Sequence, residues 1–328
     1  MTETNTITPA SIEAAAERLR GRVRRTPVER SNALSAQTGA EVWLKLECFQ
    51  ETGSFKLRGA LNRLLTLDDA ARARGVVTAS AGSHGLGVAE ASARMGVRAT
   101  VVVPETAAPA KLRGLEAYRD RGIELIVAGR DYDAAEARGL TLARTSGRTW
   151  VSPYNDAAVI AGNGTVAREV LADVGGADML IVPAGGGGLI GGCGVWAKHI
   201  RPDIRVVGVQ PEASATLRAS LQAGRLVNIP VHATLADSLA GNIEADSITF
   251  PLAQRVVDDV VVVSEREIAD AMRWLLAEHH ILVEGSAATA LAVLLARKVD
   301  ALTDQRIVVV LTGRNVGFET VRAVVCAG

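Results

Sequence analysis

Lys56 is where the sequence concentrates its chemistry. It lies between a small-residue turn, Thr52-Gly53-Ser54, and a helix-forming run from Leu57 to Leu67. Ser54 is placed to cap that helix, which puts Lys56 in the first turn. A cation there faces the positive end of the helix dipole and is disfavoured by about 0.3–1 kcal/mol. A lysine held at such a point can serve as a neutral amine, a nucleophile for a carbonyl. The plainer alternative is a surface lysine that lays its stem along the protein. Two glycine-bearing turns could hold anions. Gly185-Gly186-Gly187-Gly188 follows an apolar run and opens a helix, so bare N–H groups can converge on a phosphate. Gly186, Gly188 and Gly191 also satisfy G-x-G-x-x-G, and the next strand ends near Gln210 and Glu212. That segment alone therefore reads equally as the site of an NAD-dependent dehydrogenase, or as a tight structural turn. Ser80-Ala81-Gly82-Ser83-His84 groups hydroxyls and N–H groups at a helix start, a device for a carboxylate or simply a capped turn.

The elements that must position these residues follow from pattern. Thr8-Pro9 opens a helix to about Arg20, with Ile12, Ala15, Ala16 and Leu19 as its apolar stripe. Val42 to Glu47 reads as a strand delivering the Lys56 segment. Gly75–Ala79 and Ala99–Val103 are strands joined by a helix ending at Met95, and a second such unit runs through a helix near Pro109–Arg121 to a strand Glu124–Val127. The pattern changes near Trp150–Pro153. A helix at about Ala161–Ala172 then precedes the strands Met179–Pro183, Arg205–Val209, Val260–Val263 and Ile307–Leu311. Between these lie the helices Leu189–His199, Glu265–Glu278 and Ser286–Leu295. Strands alternating with helices imply an α/β protein with ligands at the strand carboxyl ends.

Composition narrows the classes. The 328 residues suffice for two lobes, and Lys+Arg and Asp+Glu are both 36, so no net field favours nucleic acid or an anionic membrane. The uncharged run Met179–Ala197 approaches the length of a membrane span, but its seven glycines mark strand, loop and helix. Cys48, Cys193 and Cys326 form no metal or redox spacing, as suits a reducing cytosol. His279-His280 has no partner at ligand spacing, so no metal is expected. Met1–Pro9 has no apolar signal core, and a cytoplasmic protein is the expectation.

Ser54-Phe55-Lys56-Leu57-Arg58-Gly59-Ala60, preceded by Leu44-Lys45-Leu46-Glu47, resembles the cofactor-lysine motif of the fold-type II pyridoxal-phosphate enzymes. Among them it is most similar to the threonine/serine dehydratases, from about Ile12 to Val316, a family whose relatives also act on 3-phenylserine, 3-hydroxyaspartate or intermediates of hydroxyectoine breakdown. The resemblance implies a two-lobed, tryptophan synthase β-like fold, each lobe a twisted, mostly parallel sheet flanked by helices. Residues 1–65 and 153–328 would form a large cofactor-binding domain, and 66–152 a small domain carrying the substrate-carboxylate loop. Lys56 would carry pyridoxal 5′-phosphate as a Schiff base, with Phe55 beside it. Gly185, Gly186, Gly187, Gly188 and Leu189 would hold its phosphate, while Ser83, Asn155, Glu284 and Thr312 face the cofactor. A helix-capping carboxylate is the equal alternative for Glu284. Ser80, Ala81, Gly82 and His84 would take the substrate carboxylate. The chain stops soon after its last helix begins, so the C-terminal regulatory domain of some relatives is not expected.

Departures from the family pattern sharpen these expectations. Ala81 stands where related serine racemases carry a second hydroxyl, so racemisation should be weak. Ser83 replaces the asparagine that bonds the cofactor's 3′-oxygen, which predicts room for a larger β-substituent such as the phenyl ring of 3-phenylserine. The competing expectation is that the Leu239–Ile243 segment sets pocket size. Thr312 offers the pyridine nitrogen a hydroxyl, favouring prompt β-elimination. Arg314 replaces a glycine and reads as a surface arginine or a contact for a substrate anion. Gln210 and Thr216 occupy the positions of a carboxylate pair that binds divalent cations in relatives. The implied function is dehydration and deamination of a β-hydroxy-α-amino acid to a 2-oxo acid and ammonia, with Lys56 as general base. The alternatives are the dehydrogenase and a catalytically silent cofactor-binding protein. The expected partners are an amino-acid substrate and a second copy of the chain, a dimer, with no nucleic acid and no membrane.

Overall fold

A computed structural model describes residues 6–80, 82–105, 107, 109–300 and 303–326, with side chains from 112 onward in the helix that starts at Pro109. Ten strands appear in chain order: β1 Val28–Arg30, β2 Glu41–Lys45, β3 Val76–Ala79, β4 Ala99–Val103, β5 Ile123–Val127, β6 Thr149–Trp150, β7 Met179–Pro183, β8 Arg205–Pro211, β9 Asp259–Val263 and β10 Arg306–Val310. They form two sheets, of order β1-β2-β10-β7-β8-β9 and β5-β4-β3-β6. Every pairing is parallel except β1 with β2. This is the α/β arrangement expected from the alternating pattern.

Both faces of each sheet are covered, which explains the near-continuous Val/Ile/Leu strands. Successive residues point to opposite faces. Ile307 and Val309 of β10 therefore join Met179 and Ile181 under the helices Glu265–Glu278 and Gly285–Leu295. Val308 and Val310 join Leu180 and Val182 under the helices Ala157–Asp173 and Gly188–Ile200. In the smaller sheet, Val76, Ala99 and Val101 pack with the helices Lys56–Leu65 and Ser83–Met95. Val77, Ala79 and Val102 face the helix Tyr132–Ser146 on the other side.

Several elements depart from the sequence reading. The strand expected at 42–47 ends at Lys45, because Glu47–Phe49 turns into a single 3₁₀ turn. No element is predicted between Val127 and Trp150, yet a helix fills Tyr132–Ser146, started by Asp131, whose carboxylate accepts from the Ala134 N–H. The last helix, expected to be brief, runs Phe318–Cys326. The first helix does begin at Pro9, and Thr8 and Ser11 close a reciprocal cap.

The helix Lys56–Leu65 is locked by ions as well as by packing. Arg58, wholly buried, forks onto two carboxylates: its Nε and Nη2 donate to Glu47 at 2.8 Å, and its Nη1 and Nη2 donate to Glu169 at 2.7 and 2.8 Å. The buried ammonium of Lys45 donates to Glu169 at 2.7 Å and to the Thr26 carbonyl at 3.0 Å. Two cations and two anions thus close a neutral, fully hydrogen-bonded quartet, the condition under which buried charge is tolerated.

Candidate active site

The first helical residue after a glycine turn is Lys56. Gly53 sits at φ +74°, and a Cβ there would lie 2.5 Å from Asn315 Oδ1, so only glycine fits. The turn is stitched to the segment after β10. Ser54 bridges Gly313, the Phe55 N–H donates to the Thr312 carbonyl at 3.1 Å, and the Arg314 N–H donates to the Gly53 carbonyl at 2.9 Å. Lys56 and Thr312, far apart in sequence, are brought together this way. Ser54 Oγ accepts from the Lys56 N–H at 3.2 Å, but the expected cap is displaced by one residue: Phe55 takes the N-cap position and makes no side-chain capping bond. The ammonium of Lys56 donates to the Pro153 carbonyl at 2.8 Å and lies 5.3 Å from the Phe55 ring centre. Burial lowers its pKa to about 8, partly opposed by the charge of Glu284. The sequence reading held the helix dipole responsible, whereas desolvation is the larger cause.

Around Lys56 opens a cavity of about 920 Å³. Of the residues predicted for the site, Phe55, Ser80, Gly82, Ser83, His84, Gly185 to Gly188, Leu189, Glu284 and Thr312 line it with Lys56. Ala81 lies outside the described residues. Asn155 does not line the cavity: its Nδ2 donates to Glu244 at 2.7 Å and its Oδ1 accepts from the Ile248 N–H at 2.9 Å. Through these bonds it ties down the 244–248 turn.

Two helix N-termini point their free N–H groups into this space. Gly187, at φ +87°, precedes the helix Gly188–Ile200, whose first backbone bond runs from the Gly191 N–H to the Gly187 carbonyl. The N–H groups of Gly188, Leu189 and Ile190 are therefore free for an anion. Tyr154 and Thr249 shape this turn. A Cβ on Gly186 would strike the Tyr154 ring at 2.5 Å, and Thr249 Oγ1 donates to the Gly186 carbonyl at 2.7 Å. On the opposite side, the helix Ser83–Met95 makes its first bond from the Leu86 N–H to the Gly82 carbonyl. This leaves the N–H groups of Ser83, His84 and Gly85 free. Ser83 Oγ accepts from Asn315 Nδ2 at 3.0 Å.

His84 binds differently from what its place in the loop suggests. Its Nε2 meets the Val151 carbonyl at 3.1 Å and so carries the proton, leaving Nδ1 as a bare acceptor with no partner. Burial, then the charge of Lys56, lower its pKa to about 3, so the ring is neutral. An imidazole in that state offers no donor to a carboxylate, and that task falls to the backbone. Glu284 precedes the helix Gly285–Leu295 without a side-chain capping bond, so its carboxylate is not a cap. Arg314 is exposed, its guanidinium 5.2 Å from the Phe49 ring centre.

The places considered for metals hold protein hydrogen bonds. Gln210 Oε1 accepts from the Arg218 N–H at 2.9 Å, and Thr216 Oγ1 donates to the Gly241 carbonyl at 3.0 Å. His279 Nε2 pairs with Ser31 Oγ at 2.8 Å. Among the described residues no helix is long and apolar enough to cross a membrane. Sequence reasoning missed Tyr132, Asp133, Glu136, Tyr154, Thr249 and Glu244. Only the cap at Asp131, three residues before Ala134, could have announced the helix that brings the first three.

The comparisons agree with this geometry. The model of the family described as pyridoxal-phosphate dependent enzyme matches residues 19–313. An L-threonine ammonia-lyase of Geobacter sulfurreducens is 41% identical, over 97% of this chain and 78% of its own. An L-threo-3-hydroxyaspartate ammonia-lyase of a Pseudomonas species is 39% identical, over 93% of this chain and 94% of its own. Maize serine racemase superposes with a TM-score of 0.91 at 33% identity, covering 98% of this chain and 97% of its own. With the lysine, the glycine turn and the match across 19–313 in agreement, the chain belongs to the pyridoxal-phosphate dependent enzymes.

Proposed function

We propose that the protein is a pyridoxal-phosphate dependent lyase that dehydrates a β-hydroxy-α-amino acid of the threonine/serine type, the resulting imine then taking up water to give a 2-oxo acid and ammonia. The observation that carries this is Lys56, its pKa lowered to about 8, opening into one cavity with two helix N-termini. The residues present fit the cofactor: Gly186 to Gly188 leave no room for a Cβ, as a phosphate cradle requires, and Lys56 supplies the amine. When bound, the cofactor supplies the electron sink that makes the Cα proton removable. Lys56, freed when substrate takes its place, removes that proton. The N–H groups of Ser83 to Gly85 orient the substrate carboxylate. Thr312 would offer the cofactor's ring nitrogen an uncharged partner, and Phe55 and Ser83, which line the same cavity, would help to hold the ring.

The dehydrogenase alternative loses its support in the family membership and in β8, which ends at Gln210–Pro211 with the Gln210 amide engaged. The names of the ammonia-lyase relatives favour threonine or a close homologue as substrate. We take residues 1–65 and 153–328 as the cofactor-binding lobe and 66–152 as the lobe that closes over substrate. We take the enzyme as a cytoplasmic homodimer, which sedimentation of the holoenzyme checks. The deciding experiment is 2-oxo acid formation by purified holoenzyme offered L-threonine, L-serine and 3-phenylserine. Turnover is expected, and a protein that carries the cofactor yet is silent on all β-hydroxy amino acids would end this reading.

A further inference from the structure

The lyase chemistry leaves the side chain of His84 without a task, although it lines the cavity and is only 3% exposed. The ring is fixed from one side. Its Nε2 donates to the Val151 carbonyl at 3.1 Å, and the Thr78 hydroxyl donates to the same oxygen at 2.8 Å. Both lone pairs of that oxygen are thereby taken. The tautomer this imposes leaves Nδ1 as a buried acceptor with no partner in the protein. An acceptor buried in this way is completed when a donor reaches it.

The fold sets His84 beside Lys56. The helices Lys56–Leu65 and Ser83–Met95 touch backbone to backbone near their starts, where a Cβ on Gly87 would lie 3.1 Å from the Lys56 carbonyl carbon. His84 stands three residues before Gly87, on the same face and one turn nearer the cavity. The Lys56 ammonium donates to the Pro153 carbonyl at 2.8 Å, so the two side chains hang from carbonyls two residues apart on one segment. Burial first, then the charge of Lys56, hold the imidazole pKa at about 3, so the ring takes no proton near neutrality. A substrate carboxylate brings no hydrogen to Nδ1. The β-hydroxyl does, but an acceptor there would draw the proton away from an oxygen that must leave as water.

We propose that Nδ1 of His84 is the second acceptor for the Lys56 amine once substrate has freed it, which makes His84 a positioning residue for proton removal. The inference rests on the β-eliminating reading above and deepens it. A neutral primary amine has two N–H bonds and one lone pair. With one N–H on the Pro153 carbonyl and the other on Nδ1, the lone pair is left a single direction, toward the Cα–H bond. That bond breaks, its proton goes to Nζ and its electron pair to the electron sink the cofactor supplies. His84 itself gains and loses nothing.

Two variants separate the two ring nitrogens. His84→Asn sets an amide oxygen where Nδ1 stood and gives up the Val151 bond, whereas His84→Gln reaches Val151 and gives up the acceptor. With L-threonine, His84→Gln should lower kcat by about a hundredfold, leave KM within about twofold and enlarge the isotope effect of Cα deuteration. His84→Asn should recover kcat to within about tenfold of the native enzyme. The reverse order would make His84 a tether for Val151, and a raised KM at constant kcat would make it a carboxylate contact; either overturns the inference. The native chain gives a readout apart from turnover. In crystals of the holoenzyme with 2-aminobutyrate, which has no β-hydroxyl to lose, Nζ of Lys56 should lie within about 3.2 Å of both the Pro153 carbonyl and Nδ1. An Nδ1 turned to the analogue, or left without a donor, overturns the inference even where neither variant folds. Threonine turnover without that contact leaves the lyase reading intact. The contact in an enzyme silent on every β-hydroxy amino acid keeps the placement of Lys56 and removes the lyase reading instead.

Discussion

Lys56 and Arg58 lie two residues apart on one helix, Arg58 wholly buried and Lys56 half-buried at the cavity wall, and their chemistry diverges. Burial opposes the charge of each. For Lys56 the counterweight is the charge of Glu284 alone, and its pKa falls to about 8. For Arg58 burial is again the largest single effect, but Glu47 and Glu169 overcome it and raise the pKa, so the guanidinium stays charged. The number of hydrogen-bonded counter-ions, not depth, therefore separates a reactive amine from a structural cation. One helix holds both, so the fixed cation places the reactive one.

Removing the reactive member should have the largest effect. Lys56→Ala is expected to abolish the visible absorbance of the bound cofactor and reduce turnover by several orders of magnitude, since one residue supplies anchor and base. Near-normal activity in that variant would end the assignment. Next comes the structural member. Glu47→Gln leaves Arg58 and Lys45 sharing one carboxylate and should cost about 3–5 kcal/mol in urea unfolding. A loss well under 1 kcal/mol would show that the quartet does not hold the helix. A milder probe is pH. Cofactor uptake by the apoprotein needs the neutral amine, so its rate should climb as pH rises through about 8 and then level off. Between about 8 and the ordinary 10.5, the unfolded chain holds the Lys56 proton and the folded one does not. This group therefore makes apoprotein stability rise with pH over that window, and Lys56→Met should flatten the rise. An uptake rate still climbing at pH 10 would place the amine in an ordinary environment. The smallest effect is reserved for chelation. EDTA should leave activity and melting temperature unchanged, because Gln210 and Thr216 are spent on the Arg218 N–H and the Gly241 carbonyl. A loss restored by Mg²⁺ would contradict that.

The sequence made the reactive half of this comparison legible and hid the other half. Gly53, Ser54 and Lys56 are neighbours, and the run Gly185–Gly188 sits between a strand and a helix, so local pattern locates both. Strands such as Met179–Pro183 and Ala99–Val103 were readable to the residue because they are buried on both faces and bounded by polar turns. Arg58, by contrast, finds Glu47 across a turn and Glu169 more than a hundred positions away, and no spacing announces that meeting. The same holds for Glu244, which reaches Asn155 across the fold. The helix Tyr132–Ser146 escaped because its buried stripe is only Ala135, Gly139 and Ala143, too small to read as apolar periodicity.

The helix that carries Lys56 is wedged between two others with almost no side chain in between. A Cβ on Gly59 would lie 2.8 Å from the Val159 carbonyl, one on Gly162 would lie 2.6 Å from the Arg58 carbonyl, and one on Gly87 would lie 3.1 Å from the Leu57 nitrogen. Those atoms are backbone and cannot yield as a flexible side chain would. For heredity this is a ratchet. Positions 59 and 162 accept one residue, since a methyl group there would push the helix, and the lysine with it, off its seat, while one at 87 would need the facing backbone to give by a few tenths of an ångström. A library randomised at 59 and 162 and selected for catalysis should therefore return glycine at both positions, while the polar face of the helix Tyr132–Ser146 drifts freely outside the cavity. Variation in this enzyme is channelled toward the wall that faces substrate and away from the frame that holds the amine.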